Sequence, residues 1–167
     1  MKKALIVSLF FLSLVGCSKK VDNNYELYNE YISELSNISE SSEIPALVNI
    51  KVEKLESGEY IYIISIDNPS EELKNIEVIS IYEVISVLSY VPPTPIFPSS
   101  GIFDDKLNLI PGVVNHEENI VKGILLIGYI EREYIISIKF KILMNTESGK
   151  YYYVEEIDLT YLINKIP

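Results

Sequence analysis

The side chains that could do chemistry in this chain are few. The single histidine, His116, is followed by Glu117 and Glu118. A zinc site with the pattern His-Glu-x-x-His needs a second histidine one helical turn later, and Ile120 stands at that position. The sequence has no Gly-x-Ser-x-Gly segment, so any serine triad would depend on His116 alone. These residues favour a protein that is not an enzyme.

Acidic residues are numerous but form no recognisable site. Adjacent pairs occur at Asp104-Asp105, Glu117-Glu118 and Glu155-Glu156. None of them lies in a calcium-binding loop of the EF-hand pattern, and their spacing does not single out the two carboxylates of a glycosidase. Adjacent acidic side chains are typical of solvated loops. We therefore expect no metal site and no cofactor.

Residues 1–20 predict export from the cytoplasm. Lys2 and Lys3 precede an almost unbroken apolar run from Ala4 to Val15, and the chain turns polar after Cys17. A basic start followed by a short apolar stretch is typical of a secretory signal. The run is shorter than the roughly 20 apolar residues that a helix needs to span a bilayer. The pattern favours a signal peptide that is removed over a permanent membrane helix.

The end of this segment, Leu14-Val15-Gly16-Cys17, resembles the lipobox of bacterial lipoproteins. The resemblance implies cleavage before Cys17, a diacylglyceryl group on its sulfur and a fatty acyl chain such as palmitate on the new amino terminus. A lipid on Cys17 would anchor the protein to a membrane of the cell envelope. Ser18 stands where an aspartate would mark retention in the inner membrane, so the outer membrane is the expected destination where one exists. An ordinary secretory signal and an uncleaved anchor are the alternatives.

The charge balance limits the kinds of partner that the protein can bind. The sequence contains 14 basic and 24 acidic residues, and removal of Lys2 and Lys3 with the signal changes the net charge from −10 to −12. Nucleic-acid binding needs clustered basic side chains, whereas the chain offers Arg132 and scattered lysines. Anionic lipid headgroups repel such a protein, so membrane attachment depends on the acyl chains. Cys17 is the only cysteine, and a lipidated sulfur forms no disulfide.

The composition predicts a mainly β fold. Thirteen tyrosines, no tryptophan and many isoleucines and valines favour strands, since β-branched and aromatic side chains suit a pleated surface. Residues 24–38 are the exception, because Tyr28, Ile32 and Leu35 recur at helical spacing and predict one amphipathic helix. We expect its apolar stripe to pack against the β domain, with a partner-binding helix as the alternative. The predicted organisation is a signal peptide (1–16), a lipidated cysteine and spacer (17–24), the helix and a linker (25–43), and a β-sandwich domain (44–167).

Strand signals follow one another through the β domain. The clearest alternation lies at residues 136–142, where apolar residues alternate with Ser137, Lys139 and Lys141. A longer apolar run at 75–91 fits either one bent strand or two strands. The apolar stretch 120–130 contains Gly123 and Gly128, which favour a bulge or a close backbone approach. Turn residues separate about seven strands, and this spacing is typical of a sandwich.

The centre of the chain resembles bacterial immunoglobulin-like domains of the FxLYD type. The resemblance rests on Asn68, Leu73-Lys74-Asn75-Ile76-Glu77-Val78, Ile79-Ser80-Ile81-Tyr82-Glu83 and Pro111-Gly112. The chain departs from the family pattern with Ile79 for an aromatic residue, Ile81 for leucine and Glu83 for aspartate. The resemblance implies the fold and no particular activity. We therefore predict a mainly β, immunoglobulin-like antiparallel β-sandwich of about seven strands, preceded by one short amphipathic helix.

One proline-rich segment is a candidate partner-binding loop. Its residues are Pro92, Pro93, Pro95, Ile96, Phe97 and Pro98, and four prolines exclude a central strand. One interpretation is a stiff, extended loop that binds a partner through Ile96 and Phe97. The other is a crossover between the two sheets with Phe97 in the core, which is favoured because sandwiches require such connections.

Together these features predict a lipid-anchored envelope protein that presents its β-sandwich to another envelope protein and catalyses no reaction. The anchor supplies a high local concentration, and the proline-rich segment and the helix are the candidate contacts. One alternative is an assembly lipoprotein of a secretion machine, because Ile79–Glu83 and Pro111-Gly112 also resemble the small lipidated sandwich of the type VI membrane complex. Another is a ligand-binding or hydrolytic domain, which requires a concave pocket around His116.

Overall fold

The computed structural model of the protein describes residues 23–87, 98–130 and 135–160. These residues form one α-helix, eight β-strands and a short 3-10 turn at His116–Glu118. In chain order the helix and strands are α1 (Asn23–Asn37), β1 (Leu47–Lys54), β2 (Tyr60–Asp67), β3 (Leu73–Val87), β4 (Ser99–Ser100), β5 (Leu107–Leu109), β6 (Gly123–Ile130), β7 (Ile135–Thr146) and β8 (Gly149–Asp158). The helix begins and ends within one residue of the predicted range 24–38.

The strands form two antiparallel sheets that pack against each other. Sheet A has the order β1-β2-β6, and sheet B has the order β4-β3-β7-β8, with β5 paired to β3. Consecutive strands pair at β1–β2, β3–β4 and β7–β8, and the chain changes sheet after β2, β5 and β6. In an immunoglobulin-like domain the fifth strand joins the first two, whereas here the sixth strand, β6, does so. The predicted mainly β, antiparallel β-sandwich preceded by one helix is confirmed.

The apolar run at 75–91 forms one strand as far as the structure describes it. Strand β3 pairs with β7 from Glu77 opposite Asn145 to Val87 opposite Ile135, and the register shifts between Val84 and Val87. An irregular ladder of this kind lets a long strand follow the twist of a sheet. The interpretation of a single strand is correct for residues 73–87, while residues 88–91 lie outside the described part of the chain.

The core lies between the facing sides of the two sheets. Strand β2 alternates along its length, with Tyr62, Ile64 and Ile66 fully buried and the residues between them partly exposed. The Tyr62 ring meets Phe140 of β7 edge to face at a centroid distance of 5.0 Å and Tyr82 of β3 at 5.8 Å. Aromatic pairs in this geometry add stabilisation beyond the burial of their area. This aromatic contact joins the central strands of the two sheets.

Gly128 of β6 is required by the same aromatic packing. It lies opposite Tyr62 in the β2–β6 ladder, and a Cβ atom built on Gly128 would come within 2.4 Å of the Tyr62 ring. The β2–β6 register is continuous from Gly123 to Ile130, so β6 contains no bulge. The predicted close approach is confirmed at Gly128, because the tyrosine ring occupies the space that a side chain would need.

The strands on either side of the proline-rich segment belong to the same sheet. They are β3 and β4, which pair in sheet B at Val78 and Ile79. The described end of the segment is fixed by the backbone N–H of Ser80, which donates to the carbonyl of Pro98 over 3.1 Å. The crossover interpretation is wrong, because the chain changes sheet later, between β5 and β6. Pro92, Pro93, Pro95, Ile96 and Phe97 lie outside the described residues.

We expect Gly128→Ala to destabilise the sandwich, because the added methyl group must displace the buried Tyr62 ring. Overpacking of this kind costs about 1–3 kcal/mol. Gly123→Ala is the control, since its Cβ would meet its nearest neighbours at 3.1 and 3.2 Å and needs only a small adjustment. Urea unfolding of the two purified variants measures the difference. Equal stability of both variants would contradict the packing of Tyr62 under β6.

Candidate functional site

Most residues that the sequence nominated for function lie outside the described part of the chain. Cys17 and the proline-rich segment up to Phe97 belong to this group. Pro98 is described, and its carbonyl is used to hold the chain to β3. The lipidation of Cys17 and the partner-binding loop therefore remain predictions. Among the described residues, those on the surfaces of the sandwich could form a site.

His116 does not lie in a catalytic arrangement. It is exposed and begins the 3-10 turn that precedes β6. The turn is held by Asn115, whose side-chain oxygen accepts from the Glu117 backbone N–H over 3.2 Å. Within residues 23–87, 98–130 and 135–160, His, Cys, Asp and Glu side chains form no group of three or more that could hold a metal ion. The described residues give no support to a hydrolytic site at His116.

Helix α1 covers the outer face of sheet B. Tyr31 and Leu35 are buried against the side of β3 that points away from the core, where Ile79 and Ile81 lie, and against Leu143 of β7. The exposed fraction is 4% for Tyr31 and 0% for Leu35. The prediction that the apolar stripe packs on the β domain is confirmed. The stripe is therefore occupied by the protein's own sheet.

A buried carboxylate lies under the helix. The exposed fraction of Glu77 on β3 is 4%, and each of its two carboxylate oxygens has at least one hydrogen-bond or ion-pair partner. The Tyr31 hydroxyl donates to Glu77 Oε2 over 2.7 Å, Asn145 Nδ2 donates to the same oxygen over 2.9 Å, and Lys106 Nζ lies 2.7 Å from Oε1. A buried charge without partners would be costly. Because Tyr31 belongs to the helix, docking of the helix provides one of the three partners of the Glu77 carboxylate.

Three further polar contacts hold the last part of the helix. Lys150 Nζ lies 2.8 Å from Glu34 Oε2, and the Tyr152 hydroxyl donates to the other oxygen of Glu34. Near the end of the helix, Lys141 Nζ donates to the Ser36 carbonyl over 3.0 Å. Lys141, one of the polar residues that alternate with apolar ones at 136–142, lies on the outer side of β7, but its side chain is buried under the helix. It also pairs with Glu83, with Nζ 2.7 Å from Oε1.

The ionisation of Glu77 and Glu34 is coupled to helix docking. Burial acts to raise the pKa of Glu77, but the hydrogen bonds from Lys106, Tyr31 and Asn145 outweigh it and leave the pKa below its ordinary value. The pKa of Glu34 is lowered in the same way, against partial burial, by Lys150 and Tyr152. The hydrogen bond to Glu34, with some burial, raises the pKa of Tyr152 to about 12. Both carboxylates are thus held in the charged form that binds the helix and sheet together.

The outer face of sheet A is apolar and exposed along β6. Ile124, Leu126, Gly128 and Ile130 face the core, and the residues that alternate with them point outward. The exposed fractions are 65% for Leu125, 56% for Ile127 and 64% for Tyr129. In the β2–β6 ladder, Tyr129 lies opposite Ile61 and Ile127 opposite Ile63. We call this surface, formed by Ile61, Ile63, Leu125, Ile127 and Tyr129, the β6 face.

Unlike the β6 face, the edge strands β8 and β1 are covered by another segment or carry charged side chains. The β8 edge is covered by the linker, since Ser42 donates its N–H to the Tyr152 carbonyl over 2.8 Å and Ser41 Oγ accepts from Val154. Strand β1 carries Lys51, Glu53 and Lys54. Charges and covering segments are the means by which proteins protect such borders from other chains. Strand β6 has no charged residue from Gly123 to Ile130. This exposed apolar surface is therefore the candidate contact site among the described residues.

The sequence contained a signal for the β6 face that the predictions did not use. The stretch 120–130 is apolar at almost every position, so no alternation divides it into an inner and an outer side. A strand in a two-sheet sandwich buries only one face against the other sheet. A fully apolar strand therefore carries more apolar surface than the core can take up, and the excess has to lie on the outside.

Acidification is expected to loosen the helix. Because the pKa values of Glu77 and Glu34 lie below the ordinary 4.5, their charged forms stabilise the docked helix above pH 4.5, and this contribution is lost as the pH falls through the lowered values. Glu77→Gln should destabilise the protein by about 1–3 kcal/mol at pH 7 and reduce this pH dependence. Thermal unfolding between pH 3 and 7 measures both effects.

The matched control for Glu77→Gln is Glu30→Gln, because Glu30 is exposed on the solvent side of α1. Its unfolding curve should follow that of the unchanged protein. Amide hydrogen exchange of α1 should quicken in Glu77→Gln before that of β7 does. If both variants unfold alike, the buried carboxylate does not hold the helix.

In the part of the chain that the structure describes, no helix is long and apolar enough to cross a membrane. Comparison with protein-family models, with curated proteins and with solved structures found no match to this chain. The functional argument therefore depends on the sequence signals and on the two outer faces of the sandwich, one covered by α1 and the other exposed.

Proposed function

We propose that this protein is a lipid-anchored lipoprotein of the cell envelope that acts by protein–protein contact and not by catalysis. The observation that carries the proposal is the exposed β6 face on the side of the sandwich opposite α1. The lipobox at Leu14–Cys17 supports the anchor. Ser18, in the place of a retention aspartate, supports the outer membrane as destination in an organism that has one.

The position of α1 links the anchor to the sandwich. The helix begins at Asn23, so only residues 18–22 separate it from Cys17. Such a stretch reaches about 18 Å at most when fully extended. A lipid on Cys17 would therefore lie within about this distance of the first turn of α1, the helix that Tyr31, Leu35 and the polar contacts beneath them fix to sheet B. The β6 face lies on the other side and is available to a partner.

A protein suits the β6 face better than a lipid surface does. The chain carries a net charge of −10 before processing, and anionic headgroups repel it. The face itself combines aliphatic side chains with Tyr129, and aromatic residues are enriched in protein interfaces. Its apolar surface is also spread over two paired strands, which present a flat and rigid area. These properties are those of a docking surface for a folded protein.

The anchor is tested by Cys17→Ala in the full chain. We expect the unchanged chain to incorporate a fatty-acid analogue and to sediment with membranes, and we expect the variant to lose the label and most of its membrane association. A hydroxylamine-stable, acyl-labelled amino terminus on the unchanged chain identifies the modification by mass spectrometry. An unlabelled parent chain that behaves like Cys17→Ala would contradict the anchor.

The contact surface is tested by photo-crosslinking in intact cells. Benzoylphenylalanine in place of Ile127 should give a protein adduct, because this side chain lies at the centre of the β6 face. The same replacement of Asn29, which is exposed on α1, is the control and should give none. The replacement of Ile96 tests the proline-rich segment separately. An adduct from Ile96 but not from Ile127 would move the contact to the loop and overturn the role of the β6 face.

A further inference from the structure

We infer that an aromatic patch beside the first turn of α1 lies in the headgroup layer of the membrane to which the protein is anchored. The patch is formed by Tyr25, Tyr28 and Phe103, and the surface that it contacts is lipid. This inference rests on the proposed function, because it requires an acylated Cys17. It adds the orientation of the domain, with the first turn of α1 and the β4–β5 connection (residues 101–106) toward the bilayer.

The chain between the lipid and the helix brings this part of the molecule close to the membrane. Residues 18–22 reach about 18 Å at most when fully extended, so an acylated Cys17 keeps Asn23 near the bilayer surface. A short tether of this kind gives the surface around Asn23 a high effective concentration at the lipid. A patch too small to bind a membrane by itself can therefore decide which side of the domain faces the bilayer.

Aromatic side chains are exposed at this part of the surface. The exposed fraction is 60% for Tyr25 and 48% for Phe103, and among the described residues only Tyr129 on β6 is a comparably exposed aromatic residue. Tyr28 lies one turn after Tyr25 on the helix, and its ring contacts that of Phe103 at a centroid distance of 5.2 Å. Tyrosine is enriched at membrane interfaces, since its ring is apolar while its hydroxyl stays hydrated. The patch therefore has the composition of an interfacial contact.

The patch has a rigid base. Ile102, which precedes Phe103, is buried under α1 with an exposed fraction of 4%. At the end of the same connection, Lys106 Nζ lies 2.7 Å from Oε1 of the buried Glu77. Phe103 is thus presented by a loop that is fixed on both sides of it. A surface that is already ordered loses little conformational freedom on binding.

The charges around the patch limit its depth and its strength. Exposed carboxylates border it in the chain, at Glu26, Asp104 and Asp105. Charged groups stay hydrated, so the aromatic rings reach the headgroup layer but not the hydrocarbon. Anionic lipid repels the carboxylates, whereas residues 18–22 contain two lysines and one aspartate and carry a small positive charge. The acyl chains therefore attach the protein, and the patch orients it.

Fluorescence quenching in lipid vesicles tests the inference. The full processed chain is reconstituted in phosphatidylcholine vesicles with a nitrobenzoxadiazole label on Tyr25→Cys or Phe103→Cys. Phosphatidylcholine that carries a doxyl group near its headgroup should quench both labels at least several times more strongly than it quenches the labels of two control variants. With phosphatidylglycerol added to the vesicles, the quenching at positions 25 and 103 should weaken but stay above that of the controls.

The controls are Glu30→Cys, on another side of the same helix, and Ile127→Cys on the β6 face. Both positions are exposed. The labelled patch positions are exposed as well, so the variants should keep the fold. Tyr25→Cys also leaves the ring contact between Tyr28 and Phe103 in place.

Mass spectrometry of the same preparation separates failure of this inference from failure of the anchor. On an acylated chain, equal quenching at the four positions overturns the inference and leaves the anchor intact. Labels at positions 25 and 103 that neither doxyl lipid nor aqueous iodide quenches also overturn it, because a second copy of the chain then covers the patch. A chain without acyl groups removes the anchor, and the inference fails with it.

Discussion

The buried carboxylate of Glu77 is the interaction on which the arrangement of the whole molecule depends. A charge at this position is tolerated only because Lys106, Asn145 and the Tyr31 hydroxyl surround it. Two of these partners belong to sheet B and its connections, and the third comes from α1. The helix therefore has one position in which the carboxylate is satisfied. This constraint fixes α1 to one defined face of the sandwich.

Docking of α1 makes the two outer faces of the sandwich unequal. On sheet B the apolar outer residues, such as Ile79 and Leu143, are removed from water by Tyr31 and Leu35. On sheet A the corresponding outer residues of β6 remain exposed. The only described helix therefore covers the outer face of sheet B, and the outer face of β6 stays apolar and exposed. In a chain of this net charge, the exposed apolar face is the feature on which the proposed binding role rests.

Periodicity in the sequence predicted the elements but not their surroundings. The spacing of Tyr28, Ile32 and Leu35 located α1, and the turn residues predicted the strands of a β-sandwich. The burial of Lys141 could not be predicted, since alternation shows which side of a strand a residue lies on but not whether another element covers that side. The proline-rich segment was assigned to a crossover because sandwiches require such connections, and the sequence does not show which loop makes them. The β6 face was not predicted, because a strand that is apolar on both sides shows no alternation from which its outer face could be recognised.

The central claim is that the β6 face is covered by protein in the envelope and exposed in the isolated chain. Carbene footprinting of the full chain in envelope membranes and after purification in detergent measures this directly. The account predicts that labelling of Leu125, Ile127 and Tyr129 falls several-fold in membranes, while labelling of the solvent side of α1 at Glu30 stays the same. Equal labelling of β6 in the two preparations would show that the face is free in its native setting and would contradict the account.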